Sequence, residues 1–189
     1  MLTGPSAAGK DSVLQRLKSL RPDAHFGITA TTRPARPGER HEVDYYFLSP
    51  QEFEAMLQGG ELLEHANVYG QMKGVPKAPV REALARGQDV FFRTDVQGAR
   101  YIKSIAPSAV TIFVEPPSAE ELSRRLRERA ADDPEQIAVR LRIADEEMVA
   151  AGEFDYRVVN DDLERCAAQI AAIVEQERRR AGRRPVSVG

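Results

Sequence analysis

The chain predicts an α/β fold: a mostly parallel sheet core with helices on both faces, an inserted mixed β/α lobe, and a helical segment late in the sequence. Three observations predict it. Short apolar runs at Asp89–Phe92, Val110–Val114 and Tyr156–Val159 alternate with helical stretches, the pattern of strands buried on both faces. The stretch Thr32–Lys73 breaks that alternation with three strand-like runs and one helix, and so reads as a separate lobe. Gly4-Pro5-Ser6-Ala7-Ala8-Gly9-Lys10 stands directly before the helical run Ser12–Leu17, a turn opening a helix.

Taken in order, Met1–Thr3 leaves only three residues for a first strand, against a usual length of about 5–6. Either that strand is short or the true start lies upstream. The glycines of residues 4–10 let the backbone curl so that its N–H groups converge, and Lys10 adds a full charge. Together with the following helix N-terminus this is a phosphate-binding loop; a turn that merely caps the helix is the alternative. After the lysine such loops carry a Ser or Thr whose hydroxyl meets Mg²⁺, and here there is Asp11.

Phe26–Thr31 reads as a strand, Thr32–Glu42 as a Pro-, Gly- and Arg-rich ordered loop, and Val43–Leu48 as a strand. Ser49-Pro50-Gln51-Glu52 is a helix start with cap, first-turn proline and Glu three residues after the cap; Gly59-Gly60 ends that helix. Leu62–Tyr69 and Gln71–Lys73 form a hairpin about Gly70, and a helix covers Lys77–Arg86. Asp89–Phe92 enters a strand reaching Asp95, and Val110–Val114 is the next. Ser118 and Glu121 form a capping box for a helix to Arg129, Asp133-Pro134 opens another to Met148, and Asp161 caps a long C-terminal helix after Tyr156–Val159. This divides the chain into a core (1–31, 84–124, 150–180), a lobe (32–83), a lid (125–149) and a flexible tail (181–189).

Composition narrows the function. With 189 residues, 42% of them hydrophobic, one domain with smaller lobes can close a core. A net charge of −2 argues against a general nucleic-acid surface, and the arginines of the tail read as a solvated helix end. No apolar run approaches the roughly 18 residues of a membrane span, and the N-terminus is no signal peptide, so a cytoplasmic protein is expected. Cys166 lies among Ala167, Ile170 and Ile173, the setting of a buried inert thiol. His25, His41 and His65 lack metal-ligand spacing.

Four further segments carry a resemblance. Thr31-Thr32-Arg33-Pro34-Ala35-Arg36-Pro37-Gly38-Glu39 with Val43-Asp44-Tyr45-Tyr46-Phe47 is similar to the acceptor-binding segment of guanylate kinases. Gly60–Ala66, Asp95-Val96-Gln97-Gly98-Ala99 and Val159–Leu163 follow in that family's order. The resemblance runs from about Leu2 to Glu177 and implies a P-loop NTPase-type core, a GMP-binding lobe and transfer of the ATP γ-phosphoryl group to GMP with Mg²⁺. It implies that Gly4, Pro5, Ser6, Ala7, Ala8, Gly9, Lys10, Asp11 and Asn160 meet ATP. Thr29, Arg33, Arg36, Tyr45, Glu64, Lys73 and Asp95 would meet GMP. Asp11 and Asp95 would serve the metal, and Lys10, Arg36, Arg125, Arg129 and Arg140 the transferring phosphoryl group.

The chemistry agrees with those roles. Two guanidinium forks three residues apart can grip one phosphate, and a carboxylate accepts from both N1–H and N2–H₂ of guanine. Arg125 and Arg129, four apart, share a helix face, whereas Arg127 and Arg142 read as solvated charges. For Asn160 a turn-and-cap role is equally open. The chain departs from the family at Asp11, at Lys73 (usually Tyr), at Val75 (usually Ser or Thr), at Arg93 (usually acidic) and at His65. Arg93 is expected to pair with Asp95 or reach a phosphate. Two rivals stay open: a kinase of a phosphorylated sugar such as ribose bisphosphate, and a non-catalytic protein-binding module. Monomer and homodimer are both open.

Overall fold

The computed structural model describes residues 1–68, 70–129 and 134–188. Contacts divide the chain into two units, Met1–Pro22 with Val110–Arg183, and Asp23–Ala109 with Arg184–Gly189. The cut differs from the division read in the sequence, since residues 23–31 and 84–109 group with the inserted lobe.

The first unit is built on a three-stranded parallel sheet in the order β1 (Leu2–Thr3), β8 (Ile112–Glu115), β9 (Tyr156–Val159). All four residues of β8 are buried, as expected for a central strand read from a continuous apolar run. Helix α1 (Lys10–Leu20) packs on α7 (Leu163–Arg179), and α5 (Ala119–Arg129) packs on α6 (Pro134–Val149). Along α7 the buried Cys166, Ala167, Ile170 and Ile173 recur at helical spacing. Burial pushes the Cys166 thiol up to about 11, which suits the inert role expected for it. The α7 cap is Asp162 rather than Asp161: its side chain accepts from Arg165 N at 2.8 Å, while Asp161 accepts from Asp162 N and pairs with Arg165. The expected cap at Asp133 lies outside the described residues. Ser118 does cap α5, accepting from Glu121 N at 3.1 Å, but the Glu121 carboxylate turns to Arg124 and Arg125.

The second unit holds two sheets. A parallel pair joins β2 (His25–Phe26) to β7 (Val90–Phe91), and a four-stranded mixed sheet runs β4 (Tyr45–Phe47), β3 (Thr29–Thr31), β6 (Gln71–Pro76), β5 (Leu62–Val68). The strand expected over Phe26–Thr31 is therefore two strands in different sheets, parted at Gly27-Ile28, where a glycine weakens strand continuity. Helix α2 (Pro50–Gln58) starts as the sequence indicates: Ser49 Oγ accepts from Glu52 N, and Glu52 accepts from Ser49 N. Helix α3 (Lys77–Ala85) follows β6 directly. The strand expected to reach Asp95 stops at Phe91, and Asp95 instead caps α4 (Val96–Ile105), a helix the sequence reading left out. Its signal was the three-residue spacing of the buried Val96, Ala99 and Ile102. Residues after Arg183 are not loose at the end: Val188 is buried and Pro185 O accepts from Ser108 Oγ.

The four-stranded sheet has one apolar and one polar face, because side chains alternate along strands. Ala30, Tyr46, Leu48, Leu62 and Met72 pack on Phe53, Met56 and Leu57 of α2. The opposite face takes Thr29, Thr31, Tyr45, Phe47 and Lys73. Glu64 should lie on the apolar face, two residues from Leu62. A β-bulge between them shifts the register, so that Leu62 opposes Pro76 while Glu64 opposes Val75. Glu64 thereby shares the face of Lys73. No helix among the described residues is long and apolar enough to cross a membrane.

Candidate active site

On the polar face of the mixed sheet, Glu64 is only 5% exposed. Helix α4 packs over β5 and brings Thr94, Asp95 and Gly98 to it. Burial, and then the Asp95 charge, push the Glu64 carboxyl up to about 8; a hydrogen bond from Thr94 and the Lys73 charge pull the other way. Thr29, paired with Tyr45 across β3 and β4, has a buried hydroxyl with no hydrogen-bond partner among the described residues. A buried polar atom in that state marks a place where a ligand or water completes the bonding.

The arginines of the preceding loop are not alike. Arg33 is buried, lies 4.9 Å from the centre of the Tyr45 ring, and fills its fork with Glu39 at 2.7 and 2.9 Å. Glu39 also accepts from Arg36 N at 2.7 Å. Burial alone would raise the Glu39 carboxyl, but the Arg33 and Arg36 donors hold it below the ordinary range. Arg33 thus braces the loop as a buried ion pair rather than standing as a solvent-facing fork beside Arg36, which is exposed. Nothing in the residue pattern around Glu39 marks it as the partner of Arg33. The Arg93 guanidinium lies 4.4 Å from the centre of the Tyr45 ring, an aromatic contact beyond the two partners expected for it.

In the first unit, the loop from Gly4 to Lys10 connects β1 to α1 through left-handed backbone at Ala7 (φ 67) and Gly9 (φ 92). Gly9 is the helix N-cap and no side chain caps α1, which leaves its first N–H groups to an anion. Lys10 Nζ donates to Gly4 O and Pro5 O, curled back along the loop it serves. Asp11 is exposed in the first turn of α1.

Asn160 is buried and its Nδ2 donates to Ala8 O at 2.8 Å. It therefore braces the loop; the turn-and-cap role passes to Asp162. A Cβ at Gly9 would lie 2.2 Å from that Nδ2, so only glycine fits there. Asn160→Ala should leave a buried carbonyl unpaired and lower stability by about 1–2 kcal/mol in urea titrations, with weaker ATP binding by calorimetry. Arg125 NH2 donates to Asn160 O at 3.4 Å while its Nε is held by Glu121. The loop residue Ala7 packs with Leu122 and Leu126 of α5 and Ala144 of α6. Arg140 stands half-buried on α6, Arg127 and Arg142 are exposed, and Arg129 ends α5 with its side chain outside the described residues. The structure thus brings Arg125 and Asn160 to the loop.

A family model described as guanylate kinase matches residues 1–177. The chain belongs to the guanylate kinase family. Guanylate kinases of Thermus thermophilus and Cereibacter sphaeroides are 46% and 45% identical over 183 and 187 residues, covering 97% and 98% of this chain and 83% and 89% of theirs. The crystal structure of guanylate kinase from Anaplasma phagocytophilum matches with a TM-score of 0.81 at 33% identity, covering 96% of this chain and 86% of that one. Within this guanylate kinase fold, the Gly4–Lys10 loop belongs to the first unit and the buried Glu64 carboxyl to the second.

Proposed function

We propose that this chain is a guanylate kinase that transfers the γ-phosphoryl group of ATP to GMP, giving ADP and GDP. The observation that carries the reading is Glu64, a carboxylate buried on the polar face of the mixed sheet, the face that also carries Thr29, Tyr45 and Lys73. Guanine supplies the N–H pair that such a carboxylate lacks; a phosphorylated sugar does not, and adenine presents an acceptor at N1. Leaving Glu64 unpaired against the wrong acceptor discriminates strongly.

Arg36, Tyr45 and Lys73 hold the GMP phosphate, with Arg33 fixing the loop through Glu39 and Thr29 offering its hydroxyl to the nucleotide. The loop N–H groups hold the ATP phosphates. Lys10 exchanges its carbonyl partners for phosphate oxygens, and Arg125, Arg129 and Arg140 offset charge on the phosphoryl group as its bond to the ADP oxygen breaks and that to the GMP phosphate oxygen forms.

Mg²⁺ is commonly held by one or two carboxylates together with substrate phosphates, and the described residues contain no cluster of three or more possible ligands. Asp11, directly after Lys10, fits that one-carboxylate role. Asp95 fits it less well, because its Oδ1 caps α4. The ion, when bound, neutralises phosphate charge. Asp11 adds a negative charge near those phosphates, worth about 3 kcal/mol of repulsion at 5 Å with an effective dielectric of 20. Asp11→Ser should therefore shrink the ratio of ATP affinities with and without Mg²⁺ at least tenfold by calorimetry; an unchanged ratio refutes the role.

A coupled ADP-release screen of GMP, AMP, UMP and ribose bisphosphate tests the whole reading. GMP should exceed the others in kcat/KM by about a thousandfold or more. Faster turnover of ribose bisphosphate, or no ATP binding at all, overturns it.

A further inference from the structure

We infer that Thr94 is a positioning residue for the acceptor base: its hydroxyl, set over the bare backbone of Gly98, holds the Glu64 carboxylate in the orientation that reads guanine. The inference rests on Glu64 being the base-reading group, as proposed above.

Three features place Thr94 there. It is buried, directly before the α4 cap Asp95, so its backbone is fixed by the start of a helix that packs on β5. Its hydroxyl donates to the Glu64 side chain. Both groups crowd one spot: a Cβ at Gly98 would stand 2.1 Å from Thr94 Oγ1 and 2.4 Å from Glu64 Oε2. Real Cβ atoms never come so close, so the absent side chain at Gly98 is what gives the pair its room.

The need for a positioning group follows from the bulge that turns Glu64 onto this face. Residues at a bulge are less tightly set by ladder bonds than those in regular strand. A carboxylate carried there can rotate unless a neighbour fixes it. A base presenting N1–H and N2–H₂ side by side requires both oxygens in its own plane. Asp95, on the same helix start, repels Glu64 and would drive it away from that plane; the Thr94 donor opposes this. Lys73, the cation on the neighbouring strand, attracts Glu64 but is a rotatable point charge without directional preference.

The test compares Thr94→Val, which keeps volume and removes the donor, with Thr94→Ser, which keeps the donor, using steady-state kinetics on GMP and IMP. IMP lacks the 2-amino group and so reports the two-pronged contact. Thr94→Val should raise KM for GMP about tenfold with kcat within about twofold, and should shrink the preference for GMP over IMP; Thr94→Ser should restore both. Glu64→Gln is measured beside them. If Glu64→Gln abolishes the GMP preference while Thr94→Val behaves as the parent protein, the positioning role is wrong and the base-reading role stands. If Glu64→Gln leaves the preference intact, the base-reading role fails and this inference with it. A Thr94→Val effect that Thr94→Ser does not restore also overturns the role, since the hydroxyl would then not be its source.

Discussion

Between pH 6 and pH 8 the KM for GMP should fall by about tenfold per pH unit and then level off, while kcat stays flat. Burial and the Asp95 charge raise Glu64 to about 8, so below that pH the empty site holds a neutral carboxylic acid. Reading N1–H and N2–H₂ needs two acceptor oxygens, so binding must expel the proton. Once GMP is bound its donors keep the carboxylate ionised, and the saturated enzyme no longer titrates there. Glu64→Gln should abolish the pH dependence and raise KM about a hundredfold, the loss of about 3 kcal/mol of charge-assisted hydrogen bonding. A KM profile that is flat in the parent protein rejects this account.

The same carboxyl makes the empty protein less stable as pH rises. Its ordinary value is 4.5, so between 4.5 and about 8 the native state binds more protons than the unfolded chain. Stability then falls with pH across that window and flattens above it, by roughly 5 kcal/mol in all. In urea titrations at pH 8 without nucleotide, Glu64→Gln should therefore be more stable than the parent, though it is the poorer enzyme. Stability and base recognition oppose each other at one side chain.

Lys10→Met should lower kcat about a thousandfold, measured by single-turnover phosphoryl transfer at saturating ATP. Without nucleotide Lys10 spends its charge on Gly4 O and Pro5 O, carbonyls of the loop itself. In transfer it meets charge on the migrating phosphoryl group, and removing one such group costs a factor of about a hundred to a thousand or more. Because those loop contacts are half-buried, stability should change by only about 1 kcal/mol. A kcat within tenfold of the parent would move the charge-stabilising role elsewhere.

Local signals carried much of this from sequence. The Ser49–Glu52 box, the hairpin about Gly70 and the α1 loop depend on residues a few positions apart, and all three are present in the structure. The α4 helix was hard to read because its apolar positions are few and because its cap, Asp95, also stands in a motif that suggests a ligand. The split at Gly27 was invisible because strands in two different sheets carry the same apolar composition. At the candidate site, the Gly-rich loop pointed to Lys10, and the family resemblance to Glu64 and Tyr45. They did not indicate that Glu39 fills the Arg33 fork, that Asn160 bonds Ala8 O, or that Arg93 lies over Tyr45. Those contacts depend on rotamers and on chain segments brought together by the fold.

The bulge at Leu62–Glu64 has a consequence for how this family can vary. Were the same three residues paired in regular register, with Leu63 opposite Val75 and Glu64 opposite Gly74, the Glu64 carboxylate would turn toward Phe53 and the α2 side of the sheet. The face that Glu64 occupies therefore depends on one extra residue across three positions, and so on chain length there as well as on residue identity.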